Sequence, residues 1–251
     1  MRSADWHRPI NADAAALLAA WETGAATAPL DRAPSLLTSL DLLVDEDQLD
    51  ALTVGACDSR LLALRRHLFG DSLEAVSECP HCGEEIDVEL PLAELQPAPN
   101  AAQPTHVHVS EQSYRIDCRP LRNADLRALQ ALAEAPELGD VAARCVIEAR
   151  DPTGTRVSAR ELPADVAEAV LREAAACDPG AQLTVTVVCP CGHSWAAEVD
   201  IRAILWTELT DWVGRTLSEV HALARAYGWS EGDILAMSAW RRRWYLEAAG
   251  W

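Results

Sequence analysis

Two short stretches resemble each other: Cys79-Pro80-His81-Cys82-Gly83 and Cys189-Pro190-Cys191-Gly192-His193. We call them the first and second knuckle; 106 residues separate Cys82 from Cys189. Each knuckle follows one apolar, strand-like run and precedes another. Two close pairs of thiols are a common way of holding one tetrahedral zinc ion. The sequence therefore predicts that the knuckles meet in space and that the chain between them is an insertion with its ends joined there.

The predicted zinc ligands are the four knuckle thiols, Cys79, Cys82, Cys189 and Cys191. The CxC spacing of the second knuckle is tighter than the usual CxxC, so His193 or His81 could replace one thiolate. A redox dithiol and a site that has lost its metal also stay open. Four thiolates would close the coordination shell and leave no position for water, which favours a structural Zn²⁺ over a catalytic one.

The composition indicates a globular chain without a membrane span. Of its 251 residues 49% are hydrophobic, which is enough for a core. No apolar run reaches the ~18 residues of a transmembrane helix. The first residues lack the layout of a secretory signal, and Asp5 and Asp13 interrupt their short apolar part. We expect a cytoplasmic protein, in which paired cysteines favour metal or redox chemistry over disulfides.

The charge argues against nucleic acid as a partner. There are 39 acidic residues and 21 basic ones, all of them arginine, for a net charge of −18. Nucleic-acid binding depends on a basic surface that contacts phosphates. The alternative function, a zinc-ribbon nucleic-acid or transcription-associated module, would need a local basic face, and Arg241, Arg242 and Arg243 are its one candidate cluster.

The residue pattern predicts an α+β fold with a discontinuous, zinc-ribbon-like β element. We divide the chain into five segments. They are an N-terminal helical region (1–72), the first half of the ribbon-like element (73–95), an inserted α+β region (96–181), the second half of the ribbon (182–200), and a long C-terminal helix with short helices (201–251).

Hydrophobic spacing and capping residues give finer predictions. Asn11 is expected to cap a helix at about 12–23, and Asn123 one at about 124–134. Alternation in 105–110 and 113–118 predicts a hairpin, and a helix is expected at about 139–149. The proline-rich stretch 96–104 is read as a linker.

Six of the nine tryptophans lie between residues 206 and 251. Aromatic side chains of this size anchor cores or interfaces. The residues predicted to bind a partner are Trp229, Trp240, Trp244 and Tyr245.

Nothing in the sequence indicates an enzyme. It contains no nucleophile elbow, phosphate loop, HExxH motif or paired-carboxylate signal. The four isolated cysteines are predicted to be buried core thiols; they are Cys57, Cys118, Cys145 and Cys177.

Five stretches together carry a resemblance to a known family. They are LLAAWETG (17–24), LTVGACDSRLLALRRHLFG (52–70), CPHCGEEIDVELPLAEL (79–95), CPCGHSWAAEVDI (189–201) and the tail 206–247. In this order they resemble a baseplate-associated family encoded with phage-like contractile injection systems in bacteria. The chain is more distantly similar to the baseplate hub assembly proteins of T4-like phages.

The resemblance implies a protein without catalysis that assembles, or sits in, the baseplate of a spring-loaded tail. Its partners would be other baseplate, tube or hub proteins. It would act in the bacterial cytoplasm and could be incorporated in the injection particle; the resemblance leaves open whether it stays there or leaves as an assembly factor.

Overall fold

The computed structural model describes residues 13–92, 95, 107–111 and 113–251. The chain divides into two compact units, the first formed by Met1–Glu46 with Ile201–Trp251 and the second by Asp47–Asp200. Helices and small antiparallel sheets occur together, which confirms the α+β class. The predicted linker at 96–104 lies outside the described residues.

The first unit is helical. Its helices are α1 (Ala14–Ala25), α2 (Arg32–Ser39), α8 (Ile201–Tyr227), α9 (Glu231–Leu235) and α10 (Ala239–Ala248). The core between them is aliphatic, formed by Leu18, Val213, Val220, Leu223, Ile234 and Leu235. The prediction that Asn11 caps the first helix is wrong, because the cap is Asp13, whose Oδ1 accepts the backbone N–H of Ala16 at 2.8 Å.

Trp21 on α1 connects that helix to α8. Its ring stacks on Trp206 with centroids 6.2 Å apart, and its indole N–H donates to Thr210 Oγ1 at 3.0 Å. Gly24 allows this close approach, because an added Cβ there would lie 2.8 Å from the Trp206 ring. Glycine is therefore needed at Gly24 for packing and not for a turn.

The second unit combines helices with antiparallel sheets. Its helices are α3 (Glu46–Ala51), α4 (Val54–Phe69), α5 (Asn123–Gln130), α6 (Leu138–Cys145) and α7 (Ala164–Ala176). Its strands are β1 (Ser72–Glu78), β2 (Glu85–Pro91), β3 (Val107–Glu111), β4 (Tyr114–Cys118), β5 (Val146–Arg150), β6 (Thr184–Val188) and β7 (Ser194–Glu198). Strands β1–β2 and β6–β7 form two hairpins, and β3–β4–β5 form a sheet.

The compact units group the elements differently from the five segments drawn from the sequence. Helix α4 lies in the second unit, whereas the sequence grouped residues 1–72 as one helical region. The five-segment division itself stays a prediction.

The inserted region has a third strand that the sequence analysis missed. A single helix at 139–149 was predicted, and this is wrong, because α6 ends at Cys145 and the chain continues directly as β5. The β-branched pair Val146 and Ile147 favours a strand, and β5 pairs antiparallel with β4. Ile116 of β4 and Ala149 of β5 are buried in the same cluster as α7.

The predicted cap of α5 is also wrong. The N-cap is Arg122, and the side-chain amide of Asn123 instead donates to the Leu49 carbonyl at 3.0 Å. The capping acceptor is Asp125, which takes the backbone N–H of Arg122 at 2.8 Å and both ends of the Arg119 guanidinium. A bidentate pair of this kind fixes the start of α5 more firmly than one amide would.

The start of α4 is held by a carboxylate from far along the chain. Asp178 Oδ2 accepts the Gly55 N–H at 2.8 Å, and Oδ1 accepts the Thr53 hydroxyl at 3.0 Å. Burial raises the pKa of Asp178, and these two hydrogen bonds oppose the shift. A helix N-terminus favours negative charge, so this contact joins α4 to the 3₁₀ turn at Pro179–Ala181.

Candidate metal centre

The two hairpins of the second unit each carry a knuckle at the tip. The last residue pair of β1–β2 is Glu78 with Glu85, and that of β6–β7 is Val188 with Ser194. Because each knuckle lies between two paired strands, its backbone is fixed at both ends. The sequence prediction that each knuckle lies between strands is confirmed.

Backbone hydrogen bonds close both turns. In the first knuckle the Cys79 N–H donates to the Glu84 carbonyl at 2.9 Å. In the second the Cys189 N–H donates to the His193 carbonyl at 2.8 Å. The second turn therefore spans one residue fewer than the first.

The shorter turn still presents its second cysteine in an equivalent place. Gly83 and Gly192 both have positive φ, 75° and 88°, a conformation that glycine adopts without cost. Cys82 directly precedes Gly83, and Cys191 directly precedes Gly192. The second knuckle therefore lacks one residue between its two cysteines but keeps the glycine with positive φ that follows them. This explains how a CxC spacing can place its second thiol where a CxxC spacing would.

The four thiols lie together. All four Sγ atoms are within 4.8 Å of one another. Across the knuckles, the Sγ atoms of Cys79 and Cys191 are 3.9 Å apart and those of Cys82 and Cys189 are 3.6 Å apart. A tetrahedron with Zn–S bonds of about 2.3 Å has sulfur–sulfur edges of about 3.8 Å. The sulfur positions therefore fit a tetrahedral metal site.

The site has a buried side and a solvent side. Cys79 and Cys189 are 1% and 3% exposed, whereas Cys82 and Cys191 are exposed. The first cysteine of each knuckle faces the protein and the second faces water. Four sulfur donors fill a tetrahedral shell, so the arrangement has the character of a structural site and not of one that binds substrate.

The thiols differ in acidity. For Cys79 burial opposes ionisation, but the backbone N–H groups of Cys82 and His81 and the neighbouring thiols outweigh it and lower its pKa to about 7. The backbone N–H of Cys191 favours the Cys189 thiolate, yet burial and the adjacent thiols outweigh that bond and raise the pKa of Cys189 to about 12. Four sulfurs this close cannot all carry negative charge without a cation among them.

An imidazole stack that the sequence analysis did not foresee covers the exposed side. The rings of His81 and His193 stack with centroids 5.6 Å apart, and His193 stacks on Trp195 at 5.9 Å. His81 Nδ1 lies 4.0 Å from Cys191 Sγ. His193, the predicted substitute ligand, thus lies in the ring stack and outside the sulfur group. The presence of one histidine in each knuckle is the sequence feature from which this ring stack could have been predicted.

The acidity of the thiols makes metal affinity depend on pH. Each ligand must lose its proton to bind, so protons compete with zinc as the pH falls. We expect the zinc affinity, measured by chelator competition, to drop by about tenfold or more per pH unit below neutrality. His193→Ala should follow the same curve. An affinity that does not change with pH, or one abolished by His193→Ala, would contradict four-thiolate binding.

The isolated cysteines are buried, as predicted. Cys57, Cys118, Cys145 and Cys177 all lie inside the protein. Burial is the main cause that raises the pKa of Cys118 to about 11 and that of Cys145 to about 12. These two thiols are therefore protonated at neutral pH and are poor nucleophiles.

The four predicted partner-binding residues fall into two groups. Trp229 and Tyr245 pack against the aliphatic core of the first unit, and their rings meet edge to face at 4.8 Å. Trp240 and Trp244, both on α10, are 74% and 54% exposed. Trp229 and Tyr245 are partly buried, so the second pair presents the larger aromatic surface to solvent.

The fold and the site define an α+β protein whose distinguishing feature is a cluster of four thiols at the tips of two antiparallel hairpins. The family described as T4 bacteriophage base plate protein matches residues 15–205, and the chain belongs to that family. No curated protein and no solved structure matches it. Family membership confirms the resemblance to baseplate proteins and indicates a structural role in a phage baseplate.

The matched residues include both knuckles but end within α8. Residues 206–251, with α9 and α10, therefore lie beyond the match. Among the described residues, no helix is both long and apolar enough to cross a membrane.

Proposed function

We propose that the protein is a non-enzymatic structural or assembly component of the baseplate of a phage tail-like contractile injection system, held in shape by a zinc clamp. The observation that carries the proposal is the convergence of four thiols from two distant hairpins, in a chain that belongs to a baseplate family. It supports a zinc-ribbon-like element made of two separate halves.

The proposed ligands are the thiolates of Cys79, Cys82, Cys189 and Cys191, with edges close to those of a zinc–sulfur tetrahedron. Bound there, the ion would supply a cross-link that neutralises the sulfur charges. The chain's own residues orient the sulfurs, through the glycine corners at Gly83 and Gly192 and through the paired strands on either side.

A clamp of this kind suits a subunit that must keep its shape under load. Joining the two hairpins closes the ends of the 106-residue segment between the knuckles and reduces the freedom of the unfolded chain. Metal binding then contributes directly to folding stability. A rigid surface is what docking among other subunits requires.

The partner-binding surface in this proposal is the exposed side of α10, with Trp240 and Trp244 as anchors. Tyr245 packs the other side of that helix against Trp229 and the aliphatic core. The proposed partners are other baseplate, tube or hub proteins, in the bacterial cytoplasm or in the assembled particle. The net charge of −18 favours protein partners over nucleic acid.

Copurification tests this function directly. The tagged chain is coexpressed with baseplate, tube and hub proteins encoded beside its gene, and the eluted proteins are identified. We expect one or more of these subunits to coelute, and Trp240→Ala with Trp244→Ala to abolish the coelution. Leu217→Ala, which removes another exposed apolar side chain of the same unit, is the control and should have no effect.

Two outcomes would contradict the proposed function. One is a folded chain that captures none of these subunits. The other is a chain that binds duplex DNA or RNA with the steep salt dependence of phosphate contacts, which would favour the zinc-ribbon nucleic-acid module.

A further inference from the structure

Charge is distributed unevenly between the parts of the chain. Residues 47–200 contain 26 acidic residues and 12 arginines, a formal net charge of −14. Residues 201–251 contain six acidic residues and six arginines and are neutral. Most of the net charge of −18 therefore belongs to the second unit, and the C-terminal helices do not share it.

The outer side of the β1–β2 hairpin concentrates that charge. Alternate residues of the two strands are exposed on one side, and we call these residues the acidic face. It consists of Glu74, Val76, Glu78, Glu85, Asp87 and Glu89. The segment 71–95, which contains both strands, has no arginine.

The register of the hairpin sets like charges against each other. Glu74 lies directly opposite Glu89, and Glu78 directly opposite Glu85. Like charges in this position destabilise a strand pair. Val76, 63% exposed, lies between the two pairs, in a shallow depression of about 580 Å³ whose lining includes Glu74 and Glu89. The face thus carries one apolar side chain, Val76, which lies opposite Asp87 and between two acidic pairs, and a cation with an apolar neighbour would complement it.

Helix α10 displays the complementary arrangement. Trp240 and Trp244 are one turn apart on the same exposed side. Arg243 is exposed beside them and Arg241 is exposed at the flank, while Glu247 is the acid at the far end of this side. We call Trp240, Arg241, Arg243 and Trp244 the Trp–Arg face. Arg242 points the other way, buried and bonded to Glu219 at 2.8 Å.

We propose that the Trp–Arg face of one copy docks on the acidic face of a second copy. The inference rests on the proposed role of α10 as a partner surface and adds a second copy of this chain to the partners proposed above. The Trp–Arg face is short enough to lie within the acidic face, because the four helical steps from Trp240 to Trp244 span about 6 Å and the four strand steps from Glu74 to Glu78 about 13 Å. A tryptophan covers Val76, and the arginines neutralise the opposed glutamates.

This contact is head-to-tail. Each copy offers both faces, so the association can form closed rings or open chains. The Trp–Arg face has four residues, fewer than the roughly 20–30 residues per side of a standard stable interface. The association is therefore weak and weakens further as salt screens the charges.

Sedimentation velocity of the zinc-loaded full chain, over a range of concentrations, tests the inference. We expect reversible self-association that weakens with salt. Arg241→Glu with Arg243→Glu should weaken it by about tenfold or more, and so should Glu74→Arg with Glu89→Arg. Arg225→Glu, an exposed charge reversal on α8, is the matched control and should change nothing.

Mixing the two charge-reversed variants is the decisive step. Neither should associate with itself, because the first variant has acids on both faces and the second sets the arginines of α10 against a strand pair, at positions 74 and 89, that is now basic. In the mixture the acidic α10 of the first variant meets that basic pair of the second, so mixed complexes should form. A wild-type chain that stays monomeric at every concentration, or variants that fail to combine, would overturn the inference.

These outcomes are separate from those of the proposed function. A monomeric chain that still captures baseplate subunits overturns the self-docking alone. A self-associating chain that captures none overturns the baseplate proposal alone.

Discussion

Cys79→Ser is expected to release the bound zinc and to lower the free energy of unfolding of the second unit by roughly 5 kcal/mol. Cys79 is the buried thiol of the first knuckle and the one with the lowered pKa, so in the proposed site its loss opens the shell and removes a readily ionised sulfur. The effect should be smaller than the ~10–16 kcal/mol of zinc-finger peptides, because this unit also has the buried cluster around Ile116 and Val166. Zinc per chain and the thermal melting curve measure it.

Cys177→Ala is the matched control for this change. Cys177 is also buried in the second unit but lies outside the sulfur cluster. The Cys177→Ala variant should keep one zinc per chain. Its free energy of unfolding should fall only by the small amount that the loss of one buried sulfur atom costs. If Cys79→Ser binds zinc and melts like the parent, Cys79 is not a ligand.

Gly55→Ala is expected to destabilise the second unit by about 3 kcal/mol, at the upper end of overpacking costs. An added Cβ would lie 2.5 Å from both the Ala181 amide nitrogen and Asp178 Oδ1, and 2.6 Å from the Gly180 carbonyl carbon. Two of these contacts are backbone atoms, which cannot turn away as a flexible side chain can. To relieve these contacts, α4 has to move away from the 3₁₀ turn at Pro179–Ala181, or the hydrogen bond from the Gly55 N–H to Asp178 has to break.

Gly214→Ala provides the comparison for the same chemical change. Gly214 is inside α8, and an added Cβ there would meet nothing within 4 Å. Because alanine is the better helix former by about 1 kcal/mol, this variant should be slightly stabilised. Chemical denaturation of both variants measures the difference, and equal stabilities would contradict the close packing at Gly55.

The metal site was the part of the protein most open to prediction from the sequence. Thiol pairs next to glycines are local patterns, and both knuckles could be found from spacing alone. Spacing could not establish that Cys191 is equivalent to Cys82, because that depends on where the shorter turn loses its residue. The positive φ at Gly192, which matches that at Gly83, shows that the two cysteines before these glycines occupy equivalent places. The glycine after each second cysteine was the sequence feature that could have indicated this equivalence.

Contacts between distant residues could not be predicted in the same way. Asp178 and Gly55 are 123 residues apart, and an Asp-Pro-Gly sequence reads only as a turn. Strand β5 was missed because 139–149 has helical spacing up to Cys145, and pairing with β4 then favours an extended chain. In both places tertiary structure outweighs a local preference.

The tryptophan-rich tail shows a further limit. Residue counts indicate that the region contains anchors, but they do not separate core from surface. The structure makes that separation, with Trp229 partly buried against the core and Trp240 and Trp244 exposed. Exposure, and not aromatic content, is therefore the basis on which we propose Trp240 and Trp244 as the partner surface.

X-ray absorption at the zinc edge of the purified full chain tests whether the proposed zinc clamp exists. We expect one zinc per chain, surrounded by four sulfurs at about 2.3 Å. A folded chain that contains no zinc after expression in zinc-supplied cells would contradict it. A shell in which nitrogen replaces one or more sulfurs would contradict the four-thiolate ligand set.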